Sequence, residues 1–320
     1  MTVSEDKTPA DFKLTPDPYV EKLVKKPVRR FAYPVYNVLI NSFLKRRYQD
    51  KCGFPVDLWL WGQKGNDYER HRRRVNRLCP LKDKNILIAG CGLGYDAASW
   101  IKYPVNSLTG IDYFNFERAW NLQVNACRKI NDKALLKFGQ KDLEDLESFA
   151  DNSFDLIVSD AVFEHIRDLR KVLTGLRRIL RPGGVLYATF GPLWYCWHGD
   201  HVSGLNKIEE GYNHLILSKE EYRSFINGLD DLSDQTYDPR MWINEGLFSY
   251  LQPKQYLELL EETGFCRLFV AAIIDPRAVK CLKANRAIRE RLLGAFSEVD
   301  LIVSGMTIIY SKPRLPENNG

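Results

Sequence analysis

Three glycines and one aspartate are spaced as in a binding turn for a nucleoside-bearing ligand. Gly90, Gly92 and Gly94 lie in AGCGLG, after the β-branched run NILIA and before a helical stretch that begins near Asp96. Glycine allows positive φ and close approach of a ligand to the main chain at a helix N-terminus. Asp112 closes the next β run, 20 residues beyond Gly92, where a carboxylate can accept both hydroxyls of a ribose. The pattern predicts an adenosine-bearing cofactor.

The spacing of the glycines indicates which cofactor this is. A dinucleotide fingerprint, G-x-G-x-x-G, would require glycine at the position of Tyr95, whereas the third glycine here is Gly94. A turn with the closer GxGxG spacing does not have to accommodate the pyrophosphate group of a dinucleotide. It therefore favours S-adenosylmethionine over NAD.

Four segments in order carry a family resemblance: ILIAGCGLGYDA, TGID, FDLIVSDAVFEHI and LRPGGVLYATF. On these segments residues 85–190 resemble a class I S-adenosylmethionine-dependent methyltransferase of the small-molecule, ubiquinone-biosynthesis-like type. The resemblance implies an enzyme that uses S-adenosyl-L-methionine as its cofactor.

The resemblance also implies roles for individual residues. The three glycines would face the methionine half of the cofactor, and Asp112 would face the ribose. Asp142 and Leu143, in GQKDLEDL, would meet the adenine edge, and Asp160 would lie beneath the methionine amino group. The alternative for each aspartate is a turn or structural role. The predicted cofactor-binding residues are Gly90, Gly92, Gly94, Asp112, Asp142, Leu143 and Asp160.

Short β-branched runs alternate with helical stretches from Leu81 onward, which is typical of βαβ units and a parallel sheet. We predict an α/β fold: a Rossmann-like, seven-stranded, mostly parallel sheet with helices on both faces, an N-terminal helical extension and a lid insertion after the fifth strand. Residues 181–184 are expected to form the turn into that fifth strand. The predicted strands lie at 85–89, 107–111, 135–138, 154–159, 184–190, 267–274 and 301–310. Helices are expected at 253–265 and 278–296.

The lid is expected at about 191–252, and it holds three of the five histidines. Methyl transfer to a hydroxyl needs alignment, exclusion of water and a base. His201 is the preferred base, with His198 as an alternative and Asp200 as a carboxylate that could orient either ring. His165, in FEHI after the fourth predicted strand, is a further candidate. The H-x-D-H spacing is not diagnostic of a metal site, so no metal is predicted.

Charge is concentrated near the N-terminus of this 320-residue chain. Residues 22–84 hold 17 Lys/Arg against 5 Asp/Glu, although the whole chain carries a formal charge of only +5. We predict a polar arm and basic helical extension over 1–80 and a methyltransferase domain over 81–315. The basic helix at 22–48 is either a solvated face or a contact for an anionic membrane or substrate. In RHRRR, 70–74, an arginine could pair with the methionine carboxylate of the cofactor.

The absence of two sequence motifs restricts the class of methyl acceptor. The fourth predicted strand ends in SDAV rather than N/D-P-P-Y/F, which disfavours methylation of an exocyclic amine of adenine or cytosine. No Pro-Cys pair with a second nearby cysteine occurs, which disfavours the covalent cysteine route to C5 of a pyrimidine. We therefore predict methyl transfer to a small molecule, most simply to a hydroxyl of a sugar, secondary metabolite or lipid-linked intermediate. The alternatives are nitrogen or carbon methylation, an RNA methyltransferase that uses the basic region, and a non-catalytic partner protein. The N-terminal sequence lacks a basic segment followed by an apolar one, so a cytoplasmic location is expected. The sequence does not fix the oligomeric state.

Overall fold

The computed structural model describes residues 49, 52, 56–58, 68–229 and 238–314. The predicted arm, the basic helix at 22–48 and part of the lid lie outside these residues. None of the described helices is both long and apolar enough to cross a bilayer.

One mixed sheet organises the described part of the chain, in the order β1-β7-β8-β6-β5-β2-β3-β4. Neighbouring strands are parallel except β8, which runs antiparallel to both β6 and β7. The seven predicted strands and the mostly parallel sheet are confirmed. The strands are β1 Val56–Leu58, β2 Asn85–Ala89, β3 Ser107–Asp112, β4 Leu135–Gln140, β5 Phe154–Asp160, β6 Leu180–Phe190, β7 Cys266–Ile274 and β8 Val303–Ser311.

β1 is the strand that the sequence did not predict. Its three residues pair in parallel with the end of β7, at the edge of the sheet. So short a strand has no alternation that a sequence pattern could reveal.

Helices cover both faces of the sheet and build two hydrophobic cores. Leu87 and Ala89 of β2 belong to one core, whereas Ile86 and Ile88 belong to the other, as the two-residue period of a strand requires. The described helices are α1 Tyr68–Leu78, α2 Ala97–Ile101, α3 Glu117–Arg128, α4 Leu169–Ile179, α5 Asn213–Ile216, α6 Lys219–Asn227, α7 Arg240–Asn244, α8 Pro253–Glu262, α9 Pro276–Ala284, α10 Arg286–Leu293 and α11 Glu298–Ile302.

Three predicted boundaries differ from the structure. Residues 181–184 do not form a separate turn but lie within β6, next to a register shift in its pairing with β5. The helical stretch at 278–296 is two helices, because the Asn285 side chain accepts from the Ile288 N–H and starts a new helix. The last strand begins at Val303 rather than Leu301, because Ser297 and Asp300 form a capping box that starts α11.

The sheet order reverses between β2 and β5. After β2 the chain adds β3 and β4 on one side, and after β5 it adds β6 on the other. In open α/β sheets a ligand binds beyond the carboxyl ends of the strands at such a switch point. The predicted glycine turn follows β2 and His165 follows β5, so the fold places both at this point.

Candidate active site

The glycine turn after β2 has a backbone conformation that side chains disfavour. Gly90, Gly92 and Gly94 have φ values of +77°, +46° and +81°. A Cβ added at Gly90 would stand 2.2 Å from Cγ2 of Val162, in the loop after β5. Glycine is therefore required here by both conformation and space, as the sequence indicated.

Asp112 ties the end of β3 to this turn. Its Oδ2 accepts from the Gly92 N–H at 2.7 Å, and its Oδ1 accepts from the Phe114 N–H at 3.0 Å. Burial raises the pKa of Asp112 to about 6, although these two hydrogen bonds act in the opposite direction. Trp120 of α3 donates its indole N–H to the Gly92 carbonyl at 2.7 Å. The carboxylate and the turn thus form one hydrogen-bonded unit.

Asp142 and Leu143 lie near the same edge of the sheet. Asp112 pairs with Gln140 of β4, and the Lys141 N–H donates to the Asp112 carbonyl at 2.7 Å. The Asp142 side chain is exposed, and the Leu143 side chain is buried in the core. Only the main chain of Leu143 is therefore placed to meet a ligand.

Asp160, the last residue of β5, is bound by an arginine from α1. The Asp160 Oδ2 accepts from Nη2 of Arg72 at 2.6 Å, and Arg72 is completely buried. Oδ1 of Asp160 is also buried and has no hydrogen-bond partner among the described residues. The sequence indicated an arginine from 70–74 at the cofactor site, but as a partner of the ligand. The structure instead pairs Arg72 with Asp160.

Four histidines gather beyond the carboxyl end of β5. The ring centroids of His165 and His201 are 4.8 Å apart, and those of His198 and His201 are 6.4 Å apart. Trp242 of α7 stacks on His165 at 4.1 Å. The structure thus brings the three predicted base candidates together, although His165 is far from the other two in sequence.

The hydrogen bonds of these imidazoles differ. Nδ1 of His165 contacts the Leu247 carbonyl at 2.9 Å, and Nδ1 of His198 contacts the Ser203 carbonyl at 2.6 Å. Nε2 of His201 is buried without a hydrogen-bond partner among the described residues. A backbone carbonyl only accepts, so each contacted Nδ1 carries the proton.

Burial lowers the pKa of every histidine in this group. The pKa of His165 falls to about 4, and that of His201 falls well below its usual range, with neighbouring histidines adding to the effect. Burial likewise lowers the pKa of His198 and His214. The imidazoles are neutral near pH 7 and can accept a proton only where a ring nitrogen is free.

Asp200 does not orient the base candidates by a hydrogen bond. Its carboxylate accepts from the Ser203 N–H and hydroxyl and from the Tyr222 hydroxyl, at 2.6–2.8 Å. The histidine nitrogen that it faces is Nδ1 of His214, at 3.8 Å. The expected pairing of Asp200 with His198 or His201 is therefore wrong, because hydroxyl and backbone donors occupy the carboxylate.

Glu164, next to His165, is a buried carboxyl group that the sequence analysis did not single out. Its side chain is buried, Oε1 accepts from the Gly191 N–H at 2.8 Å, and Oε2 has no hydrogen-bond partner in the described part of the chain. Burial raises its pKa to about 7. Since β5 and the lid meet here only in three dimensions, the EH pair alone did not reveal this contact.

Comparison with known proteins fits this geometry. Residues 87–188 match the family model described as "Methyltransferase domain". The chain is 26% identical over 211 residues to malonyl-[acyl-carrier protein] O-methyltransferase of Halalkalibacterium halodurans, covering 60% of this chain and 74% of that protein. It is 35% identical over 107 residues to a polyketide synthase-nonribosomal peptide synthetase of Aspergillus clavatus, covering 32% of this chain and only 3% of that protein.

Among solved structures, the phosphoethanolamine N-methyltransferase 2 of Haemonchus contortus is similar at 20% identity, with a TM-score of 0.47 and coverage of 77% of this chain and 53% of that one. The matched residues 87–188 run from β2 to β6 and include the glycine turn, Asp112 and Asp160. Residues 87–188 therefore form a methyltransferase domain of the class I S-adenosylmethionine-dependent kind. Its cofactor is S-adenosylmethionine.

The residues present fit this cofactor. The positive-φ glycines leave the main chain of the turn open to a ligand, and Oδ1 of Asp160 is a buried acceptor for a donor that the described residues do not supply. No cluster of three His, Cys, Asp or Glu side chains that could hold a metal ion occurs in the described part of the chain.

Proposed function

We propose that this enzyme methylates a hydroxyl of a small-molecule acceptor and that His165 removes the hydroxyl proton. The observation that carries the proposal is the His165 ring: it follows β5 at the switch point, its Nδ1–H is held by the Leu247 carbonyl, and its Nε2 has no hydrogen-bond partner in the described residues. A neutral imidazole with a fixed tautomer and a free Nε2 is suited to act as a general base.

Each residue then has a defined task. The cofactor supplies an electrophilic methyl group on a sulfonium. The hydroxyl oxygen forms the new bond to the methyl carbon as the carbon–sulfur bond breaks, and Nε2 of His165 takes the hydroxyl proton. Trp242 stacks on the ring and Leu247 fixes its tautomer, so both hold the base in position.

His201 and His198 remain alternative bases. Nδ1 of His198 is committed to the Ser203 carbonyl, and Nε2 of His201 is buried beneath the rings of His165 and Phe248. Neither follows a strand at the switch point. These contacts favour His165 over the His201 assignment expected from the sequence.

For the cofactor we propose the roles that the family resemblance implies. Asp112 accepts from the ribose hydroxyls, the main chain at Leu143 and the Asp142 side chain meet the adenine, and Asp160 receives the methionine ammonium. Support comes from the common edge of the sheet that these residues share and from the positive-φ turn at Gly90, Gly92 and Gly94.

The residues around His165 favour a planar, apolar acceptor. Trp242 lies at 4.1 Å and Phe248 at 5.5 Å from the His165 ring, and Trp194 packs on Phe248 at 4.6 Å. Aromatic walls bind a flat ring by stacking and discriminate against charged, strongly hydrated groups. A phenol or catechol matches this lining better than a sugar phosphate. The similarity to an O-methyltransferase agrees with oxygen as the methylated atom.

A substrate panel tests the acceptor. Purified protein with methyl-labelled S-adenosylmethionine is offered catechol, a sugar phosphate, an aliphatic amine and total RNA, and label transfer is measured for each. We expect transfer to the catechol hydroxyl. Transfer confined to the amine or to RNA would contradict the proposal, and in the RNA case a steep salt dependence would point to the basic region.

A further inference from the structure

The buried ion pair between Arg72 and Asp160 joins two parts of the chain that are 88 residues apart. Arg72 belongs to α1, ahead of the matched methyltransferase residues, and its side chain is completely buried. Asp160 ends β5 at the switch point. A helix outside residues 87–188 therefore contributes a charge directly to the cofactor edge of the sheet.

Several contacts hold the guanidinium in one orientation. Nη1 donates to the Tyr187 hydroxyl at 3.0 Å, Nε donates to Oγ of Ser99 at 3.1 Å, and the group lies 4.3 Å from the Trp100 ring centroid. Burial alone would lower the pKa of Arg72, but Asp160, Tyr187 and Asp96 raise it above its ordinary value. Arg72 is a fixed cation.

In this arrangement only one of the two carboxylate oxygens of Asp160 has a hydrogen-bond partner among the described residues. Oδ2 takes the short contact at 2.6 Å, and Oδ1 is buried with no hydrogen-bond partner among the described residues. A buried carboxylate oxygen without a donor is costly unless a ligand supplies one. A buried ion pair often stabilises a fold less than apolar side chains of similar size would. Stability alone therefore does not account for the Arg72–Asp160 pair.

We propose that Arg72 is a positioning residue for the cofactor: it holds Asp160 oriented so that Oδ1 accepts from the methionine ammonium. The inference rests on the role proposed for Asp160 but not on the acceptor or on His165. S-adenosylmethionine binding without an acceptor therefore tests it separately from the proposed function.

The pairing predicts how the loss of Arg72 acts. Without its guanidinium, Oδ2 of Asp160 loses its donor and the carboxylate loses its fixed orientation, so Oδ1 binds the ammonium less well.

The test measures S-adenosylmethionine and S-adenosylhomocysteine affinity by calorimetry at pH 7.5, each variant relative to the parent. Arg72→Met should weaken both affinities by about tenfold to a hundredfold, the scale of one charge-assisted hydrogen bond. Arg72→Lys keeps the cation and should restore most of the affinity. Arg73→Met changes an exposed residue of the same helix and should match the parent.

Two further variants distinguish an error in the role of Asp160 from an error in the role of Arg72. Asp160→Asn should lose affinity as Arg72→Met does, and the double variant should lose little more, because both changes remove one interaction. Parent-like affinity in Asp160→Asn would overturn the role of Asp160. Weak binding in Asp160→Asn with parent-like binding in Arg72→Met would overturn the positioning role of Arg72. If Arg72→Met does not fold, Arg72→Lys decides: a loss as large as that of Asp160→Asn contradicts the proposal.

Discussion

The cofactor half of the site and the lid hold their polar groups in opposite ways. In the cofactor half, the carboxyl ends of β2, β3 and β5, backbone N–H groups donate to the buried carboxylate of Asp112. In the lid, residues 191–252, backbone carbonyls contact imidazole nitrogens, as Ser203 does for His198 and Leu247 does for His165. Donors stabilise an anion, whereas carbonyls stabilise a neutral ring that carries its proton on Nδ1. This difference agrees with the proposed roles, cofactor binding in the first half and proton acceptance in the second.

The largest effect should come from the base. His165→Asn should lower turnover by about 10²–10⁴-fold, the range typical of a lost general base, and leave S-adenosylmethionine affinity nearly unchanged. The base acts only when neutral and its pKa is about 4, so activity of the parent should fall only as the pH drops toward 4. An exposed histidine would place that acid limb near pH 6.5.

Steady-state kinetics with the acceptor found in the panel, together with calorimetry, provide the measurement. His201→Asn and His198→Asn are the matched controls. Parent-like turnover of His165→Asn alongside a large loss in His201→Asn would return the role to His201. Parent-like turnover in all three variants would mean that alignment alone drives the transfer.

In the cofactor half, Asp112→Ala should weaken S-adenosylmethionine binding by about 1.5–3 kcal/mol, because the ribose hydroxyls would lose a charged acceptor. Calorimetry at pH 7.5 measures this loss. Asp132→Ala, at an exposed aspartate beyond α3, is the control and should bind as the parent does. An unchanged affinity in folded Asp112→Ala protein would remove Asp112 from the site.

The two regions should respond oppositely to acid. The folded-state pKa values of His165, His198, His201 and His214 are lowered, so these groups take up protons only on unfolding, and stability is lost as the pH falls from about 6.5 toward 4. Glu164, with its pKa raised to about 7, contributes stability at acid pH that is lost as the pH rises through 7, and Asp112 behaves likewise near 6. Each proton taken up by only one state changes the free energy of unfolding by about 1.4 kcal/mol per pH unit.

Urea denaturation at pH 7, 6 and 5 measures the balance, and we expect the histidines to dominate by number. His201→Gln should flatten the loss of stability in acid, and Glu164→Gln should steepen it. A parent protein that gains stability from pH 7 to 5 would contradict the neutral state of the lid histidines.

The smallest effect concerns backbone strain in the loop after β5. Ala161 has a φ of +57°, which costs a residue with a side chain about 1–2 kcal/mol. Ala161→Gly should stabilise the fold by up to about 1 kcal/mol, after the greater entropy of glycine in the unfolded chain is counted. Thermal unfolding detects this, with Ala98→Gly in helix α2 expected to destabilise. A destabilised Ala161→Gly protein would show that the conformation carries no strain.

The comparison also explains what the sequence could predict. The cofactor half needs glycine for its φ values and acids at strand ends, so Gly90, Gly94 and Asp112 could be picked out by residue type and spacing. Main-chain carbonyls of the lid, which any residue supplies, contact His165 and His198, so these contacts have no sequence signature. The Asp200 carboxylate accepts from Ser203 and Tyr222, and the spacing H-x-D-H does not reveal these partners.

Contacts between residues that are distant in sequence were the other feature that the sequence could not predict. Arg72 and Asp160 are each visible as charged residues, but only the packing of α1 against α2 and β6 makes them neighbours. The strands were predictable because largely apolar runs of four or more residues are long enough to show a pattern. The three residues of β1 are too few to show such a pattern.

β1 also bears on whether molecules of the protein associate with one another through the edge of the sheet. It covers the outer edge of β7, where it pairs with Ala272, Ile273 and Ile274. A shortened chain that began at the predicted domain boundary, residue 81, would leave these backbone groups unpaired beside an apolar strand. Exposed edges of this kind recruit strands from other molecules. Three residues at the margin of the fold would then decide whether the enzyme stays dispersed in solution or assembles through its sheet.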